Sequence, residues 1–178
     1  MRMKLLAGLA LIAAASALAQ SAERLVSPPL AGFTVGYERA NAQQSIREEV
    51  PRGETVDRWT RMVTTQWFSG LAARTTPAQY AQNILGALPR QCPGAKASPV
   101  ANVTVSGRPA VRFQVDCPTG GGETFILLAI SGTRDMHVKQ VAWRGPTTPA
   151  GLQWGRGFLA ATVLCRAGRR EAVCHRSN

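Results

Sequence analysis

Residues 48–68, EEVPRGETVDRWTRMVTTQWF, decide the fold. Pro51, Arg52, Gly53 and Glu54 carry turn chemistry, because proline presets its own φ and glycine accepts a left-handed one, so the chain reverses here between two extended runs. The run 59–68 is rich in threonine, valine and tryptophan, which suit a pleated, half-buried surface better than a helix. It reads as a strand with Trp59, Arg61, Val63, Thr65 and Trp67 on one face and Thr60, Met62, Thr64, Gln66 and Phe68 on the other. A hairpin on this stretch makes the chain a sheet protein, and the stretch itself is architecture with no catalytic centre in it.

Upstream, two weaker strands are expected at 33–39, where Phe33, Val35 and Tyr37 alternate with smaller or polar residues, and at 44–50, after a polar turn at 41–43. Pro28 and Pro29 make residues 20–32 an extended lead-in without a helix. Downstream, Thr76-Pro77-Ala78-Gln79 has the signature of a helix start: threonine at the N-cap, proline in the first turn, glutamine where a capping box wants it. Tyr80, Ala81, Ile84, Leu85 and Leu88 then recur on one face, and Pro89 is expected to stop the helix.

Strands at 101–105 and 110–117 follow, joined by a turn at 106–109; the second puts Val111, Phe113, Val115 and Cys117 on one face and Arg112, Gln114 and Asp116 on the other. Residues 125–130 are apolar at every position, as in a central strand covered on both faces, so helices are required on both sides of the sheet. A polar turn at 131–135 and a strand at 136–144 complete a second hairpin. Thr148-Pro149 repeats the helix-start chemistry, with Leu152, Gly155, Phe158, Leu159, Thr162 and Val163 as its inward stripe.

Composition sets the compartment. Residues 1–19 hold Arg2 and Lys4, an apolar run at 5–15 and small Ala17 and Ala19, the layout of a secretory signal cleaved after Ala19. That run is too short for a comfortable membrane span and nothing later approaches one, so a soluble exported protein of the periplasm or exterior is expected. The 159 residues of 20–178 suffice for one domain, taken as 33–165 with a disulfide-closed basic tail at 166–178. Cys92, Cys117, Cys165 and Cys174 fit an oxidising compartment; three pairings are open, and Cys92 with Cys117 and Cys165 with Cys174 join neighbours in the order of elements. Zinc would want closer cysteine spacing and more ligands than His137 and His175 add, so neither metal nor cofactor is expected.

Charge points to a class of partner. Loss of Arg2 and Lys4 takes the net charge from +11 to +9, and from Arg58 onward 15 Arg and Lys face only Asp116, Glu123, Asp135 and Glu171. An anionic envelope polymer or an acidic protein suits such a field, whereas export argues against nucleic acid. Trp143-Arg144 and Trp154-Gly155-Arg156 interleave aromatics with arginine and are the candidate binding residues. Glu48, Glu49, Glu54 and Asp57 interleave with Arg47, Arg52 and Arg58 and read as surface pairs. Gly120-Gly121-Gly122 precedes a strand where a phosphate loop should open a helix, so it reads as a plain loop.

For catalysis the one suggestive group is Ser131, Asp135 and His137, close together in the second hairpin, although nothing in the sequence specifies the geometry of a triad. A binding or accessory role is therefore the leading reading, with a small hydrolase using those three residues and a structural subunit of an envelope assembly as alternatives.

The pattern P-x-G-E-T-x-x-x-W-T-x-M, at Pro51, Gly53, Glu54, Thr55, Trp59, Thr60 and Met62, resembles small exported proteobacterial proteins of unknown role. The element order is similar to the PsbP-like architecture. That resemblance implies an α+β fold, an antiparallel sheet of about six or seven strands with two flanking helices, used elsewhere for binding or assembly, and it transfers no photosystem function.

Overall fold

A computed structural model of the chain describes residues 23–119, 122–145, 147–166 and Cys174. The leader at 1–19 with its cleavage point, Gly120, Gly121 and the rest of the basic tail, His175 included, lie outside them.

The chain forms β1 (Glu23–Val26), β2 (Phe33–Ala40), β3 (Gln44–Pro51), β4 (Arg61–Phe68), α1 (Pro77–Gln91), β5 (Lys96–Ala97), β6 (Ala101–Val105), β7 (Arg108–Cys117), β8 (Glu123–Ser131), β9 (Met136–Arg144), α2 (Pro149–Ala160) and β10 (Val163–Arg166). The main sheet is antiparallel in the order β2-β3-β4-β9-β8-β7-β5. An eighth strand, β6, pairs with β7 beside β5, so the sheet is seven positions wide. The fold is α+β, as the hairpins and capped helices require.

Each helix covers one face. Ala81 and Leu88 of α1 pack on Val111, Phe113, Val115, Leu127, Ala129 and Val138. On the opposite face Phe158 and Leu159 of α2 pack on Val63, Ile126, Leu128, Ile130, Val141 and Trp143. The unbroken apolar run of β8 is thus explained: Leu127 and Ala129 serve one helix layer, Ile126, Leu128 and Ile130 the other. Burying a side chain such as Phe113 contributes roughly 2–3 kcal/mol.

The capping box forms as expected, Gln79 N–H donating to Thr76 Oγ1 and Thr76 N–H to Gln79 Oε1. Two expectations are corrected. Helix α1 runs past Pro89 to Gln91, because a proline in the last turn forfeits one hydrogen bond without blocking the few residues left. Strand β4 begins at Arg61, since Glu54 accepts from both the N–H and Oγ1 of Thr60 and holds 54–60 as a loop. The described part of the lead-in is extended and without a helix, and it includes a strand, β1, which pairs with β10 from the far end of the chain.

The loop between β3 and β4 explains the P-x-G-E-T-x-x-x-W-T-x-M pattern. It folds back so that Trp59 packs on Val50, Met62 and Ala142, closing a stretch of sheet that α1 does not reach. Val56 sits so close over Gly36 that an added Cβ would stand 3.0 Å from it. Cys92–Cys117 ties the end of α1 to β7, and Cys165–Cys174 ties the tail to β10, with Cα–Cα distances of 5.8 and 5.6 Å. These are bonds of an extracytoplasmic protein. Among the described residues no helix is long and apolar enough to cross a membrane.

Candidate functional site

The sheet has two contrasting ends. The turn end gathers the residues read as catalytic candidates, and its chemistry is structural. Ser131 pairs with Met136 and Ile130 with His137, so Ser131 lies on the α1 face while His137 lies on the α2 face. The strand register thus separates nucleophile from base, and the three residues do not form a triad. Asp135 accepts from Trp67 Nε1 at 2.9 Å and from Gly70 N–H at 2.8 Å, which pins the β8–β9 turn to β4. Ser131 Oγ donates to the Gly132 carbonyl at 3.4 Å.

The residue that organises this end is Glu23, which sequence reasoning passed over. It is 7% exposed and accepts from Thr133 N–H at 2.7 Å, Thr133 Oγ1 at 2.8 Å and Arg166 Nε at 3.0 Å. Burial works against its charge, but the bonds from Thr133, the nearby His137 and Arg166 outweigh that and hold its carboxyl below the usual range. His137 Nε2 stands 3.9 Å from Glu23 Oε2 with no hydrogen-bond partner among the described residues. Burial pushes the His137 imidazole below its ordinary pKa, against the opposing pull of Glu23 and Asp135. Gly132 has no room for a side chain, since a Cβ would collide with Glu23 and press on His137.

The loop end carries the binding candidates and is more open. Trp143 is 6% exposed and stands edge-on to Trp154, their centroids 6.4 Å apart. Trp154 also stacks with Phe33, at 6.4 Å, and with Phe158, at 5.5 Å. Over its ring lies the guanidinium of Arg61, 4.6 Å from the centroid. Phe33, Arg61, Trp154, Phe158 and the segment at 28–31 line a groove of about 450 Å³, with Trp143 behind it.

Elsewhere at this end, Arg144 stacks on Trp59 at 4.5 Å and donates to the Asp57 carbonyl at 2.8 Å. It lines a second hollow of about 480 Å³ with Glu54, Thr55, Arg58 and Thr60. Two guanidinium-on-indole stacks therefore stand at one end of the sheet, each worth about 0.5–2 kcal/mol depending on desolvation.

The four binding candidates are redistributed by the backbone. Trp143 and Arg144 are successive in a strand and point to opposite faces, so the tryptophan enters the core and the arginine meets Trp59. Arg156, two residues beyond Trp154 on a helix, turns away and donates to Gln114 Oε1 at 3.1 Å. The arginine that does meet Trp154 is Arg61, which the alternation of β4 placed beside Val63 but did not connect to a helix so distant in the chain.

Between the two ends lies Lys139, 5% exposed, donating to Thr65 Oγ1 at 2.6 Å with its ammonium 5.6 Å from the Phe158 ring. Burial lowers its pKa to about 8; Glu49 opposes the shift and Arg47 adds to it.

No family model matches the sequence, and no curated protein does either. Among solved structures the chain is similar to PA94 from Pseudomonas aeruginosa, a protein of unknown function described as a putative regulator. Identity is 17%, over 71% of this chain and 94% of that one, with a TM-score of 0.46. It is also similar to LpqN, involved in cell envelope biogenesis of Mycobacterium tuberculosis, at 11% identity over 80% of this chain and 83% of that one, TM-score 0.42. Both are distant structural likenesses, and no activity is carried over from either.

Proposed function

We propose that the protein is a periplasmic binding or accessory protein, released by cleavage after Ala19, whose loop end contacts an anionic envelope component or an acidic protein. The observation that carries this reading is the Arg61–Trp154 stack on the wall of an open aromatic groove, with the Arg144–Trp59 stack at the same end. Guanidinium groups held over rings are ordered before a ligand arrives, so little side-chain entropy is lost on binding. The basic excess of the chain from Arg58 onward supplies a field that draws anions toward it.

The test is crosslinking in the native periplasm followed by purification of the protein with what it holds. The expected result is an anionic component whose retention falls with salt and is lost when Arg61→Gln and Arg144→Gln are combined. Turnover of any substrate, abolished by a point change that leaves the fold intact, overturns the reading.

A second reading, a structural subunit, is favoured by β2, an edge strand that leaves Val35 and Tyr37 40% and 39% exposed. A strictly monomeric protein that recovers no envelope component on crosslinking counts against it.

A further inference from the structure

We infer that the groove beside α2 takes an amphiphile with a single anionic head, a carboxylate or phosphate on an apolar body. This rests on the reading of the loop end as the contact site and names the class of ligand that would fill it.

Arg61 carries the inference. Several other arginines meet protein oxygens: Arg47 meets Glu38, Arg166 meets Glu23, and Arg108 donates to the carbonyls of Ser131 and Gly132. Arg61 meets the Trp154 ring, and its buried Nε has no hydrogen-bond partner among the described residues. A desolvated N–H of a charged group without an acceptor is costly, and an oxyanion brought by a ligand would remove that cost.

The rest of the groove is apolar. Pro28, Pro29, Leu30, Phe33, Trp154 and Phe158 line it, and the two prolines have no N–H to offer a polar ligand. A polyanion would call for several cations along its length, whereas this wall presents one. Stacking of Trp154 with Phe33 and with Phe158 fixes the wall in advance. Gly157 leaves room beside it, since a Cβ added there meets nothing within 4 Å.

The experiment measures binding to the purified, disulfide-intact protein by calorimetry. The probes are dodecanoate and dodecyl phosphate below their micellar concentrations, dodecyltrimethylammonium, inorganic phosphate and dextran sulfate. The expected result is one-to-one binding of the two anionic amphiphiles, comparison of which tells carboxylate from phosphate. Affinity should drop about tenfold in Arg61→Gln, which keeps polar atoms and loses the charge.

Gly157→Met should block the groove without lowering the thermal melt, because the site is open and methionine is a better helix former than glycine. Arg156→Gln should change nothing. Equal binding of the cationic amphiphile, equal binding of inorganic phosphate alone, or indifference to both Arg61→Gln and Gly157→Met overturns the inference. Binding of dextran sulfate without binding of amphiphiles overturns it but leaves the broader reading standing. Binding of no anionic probe, with no anionic component recovered from the periplasm, removes both.

Discussion

At the turn end of the sheet the charged groups are consumed by one another; at the loop end they rest on rings. Glu23 spends its oxygens on Thr133 and Arg166, and Asp135 on Trp67 and Gly70. Arg61 and Arg144 instead lie against Trp154 and Trp59. The difference separates two meanings of a polar cluster. Groups that satisfy one another in the interior report architecture, whereas a guanidinium such as that of Arg61, set over a ring and with no acceptor for its Nε among the described residues, is available to a ligand.

The sharpest way to break this comparison is to delete one charge at each end. Glu23→Ala should destabilise the protein by about 3 kcal/mol, since it leaves Thr133 and Arg166 without their buried acceptor and frees β1 from the β8–β9 turn. Arg61→Gln should change stability by less than about 1 kcal/mol, because half-buried stacking is all that it loses. Urea unfolding of the two variants checks both. Equal losses would mean that Arg61 is as structural as Glu23 and that the loop end holds no spare cation.

A step smaller is Gly155→Ala. Its Cβ would collide with the Trp143 ring, so α2 must shift off the sheet at a cost of about 1–3 kcal/mol, read as a lowered melting temperature. Because Trp143 and Trp154 meet edge-on, the same change should disturb the groove wall and weaken binding there. Gly157→Ala, two residues on, meets open space and should stabilise the helix by up to about 1 kcal/mol.

Much of this fold is legible in the sequence, and the parts that are not share a cause. Both helices announce themselves through chemistry within four residues, as at Thr76-Pro77-Ala78-Gln79, and β7, β8 and β9 through alternation or continuous apolarity. Strand β1 does not, because Glu23-Arg24-Leu25-Val26 is short and its partner β10 lies at the other end of the chain. The site fails in the same way. Adjacency suggested Trp143 with Arg144 and Trp154 with Arg156, yet strand and helix periods turn those neighbours apart and unite Trp154 with Arg61. Ser131 and His137 looked close for the same reason, and one residue of hairpin register puts them on opposite faces.

The pH dependence of the turn end is a smaller effect with a definite sign. Burial lowers the His137 pKa, so the folded chain binds that proton more weakly than the unfolded one. Its contribution to stability is complete above the ordinary histidine range and is lost as pH falls through that range toward the folded value. Glu23, also lowered, begins to lose its contribution only below the ordinary carboxylate range. His137→Gln should therefore flatten the dependence near pH 6, where one proton allows a slope of at most about 1.4 kcal/mol per pH unit, and leave the steeper acid limb in place. An unchanged profile near pH 6 would show that His137 is not a titrating part of the buried cluster.

The smallest expected effect on stability tests where the interior of the turn end gives way to solvent. His137, Lys139, Val141 and Trp143 follow one another along the α2 face of β9, so Lys139 is the next position after the buried histidine. Arg47, half exposed on β3, pairs with Glu38 at 3.1 Å and lies 3.7 Å from Glu49. Exposed pairs of this kind contribute little, and Arg47→Gln should alter unfolding free energy by less than about 0.5 kcal/mol. The same substitution removes a positive charge that helps to hold the Lys139 pKa at about 8 and leaves Glu49 to act unopposed, so the Lys139 ammonium should titrate at higher pH. Chemical-shift titration of the lysine side chain reads this directly. A rise with little change in stability would show that the open strands tune a charge buried under α2, and an immobile titration would confine Arg47 to the solvent side.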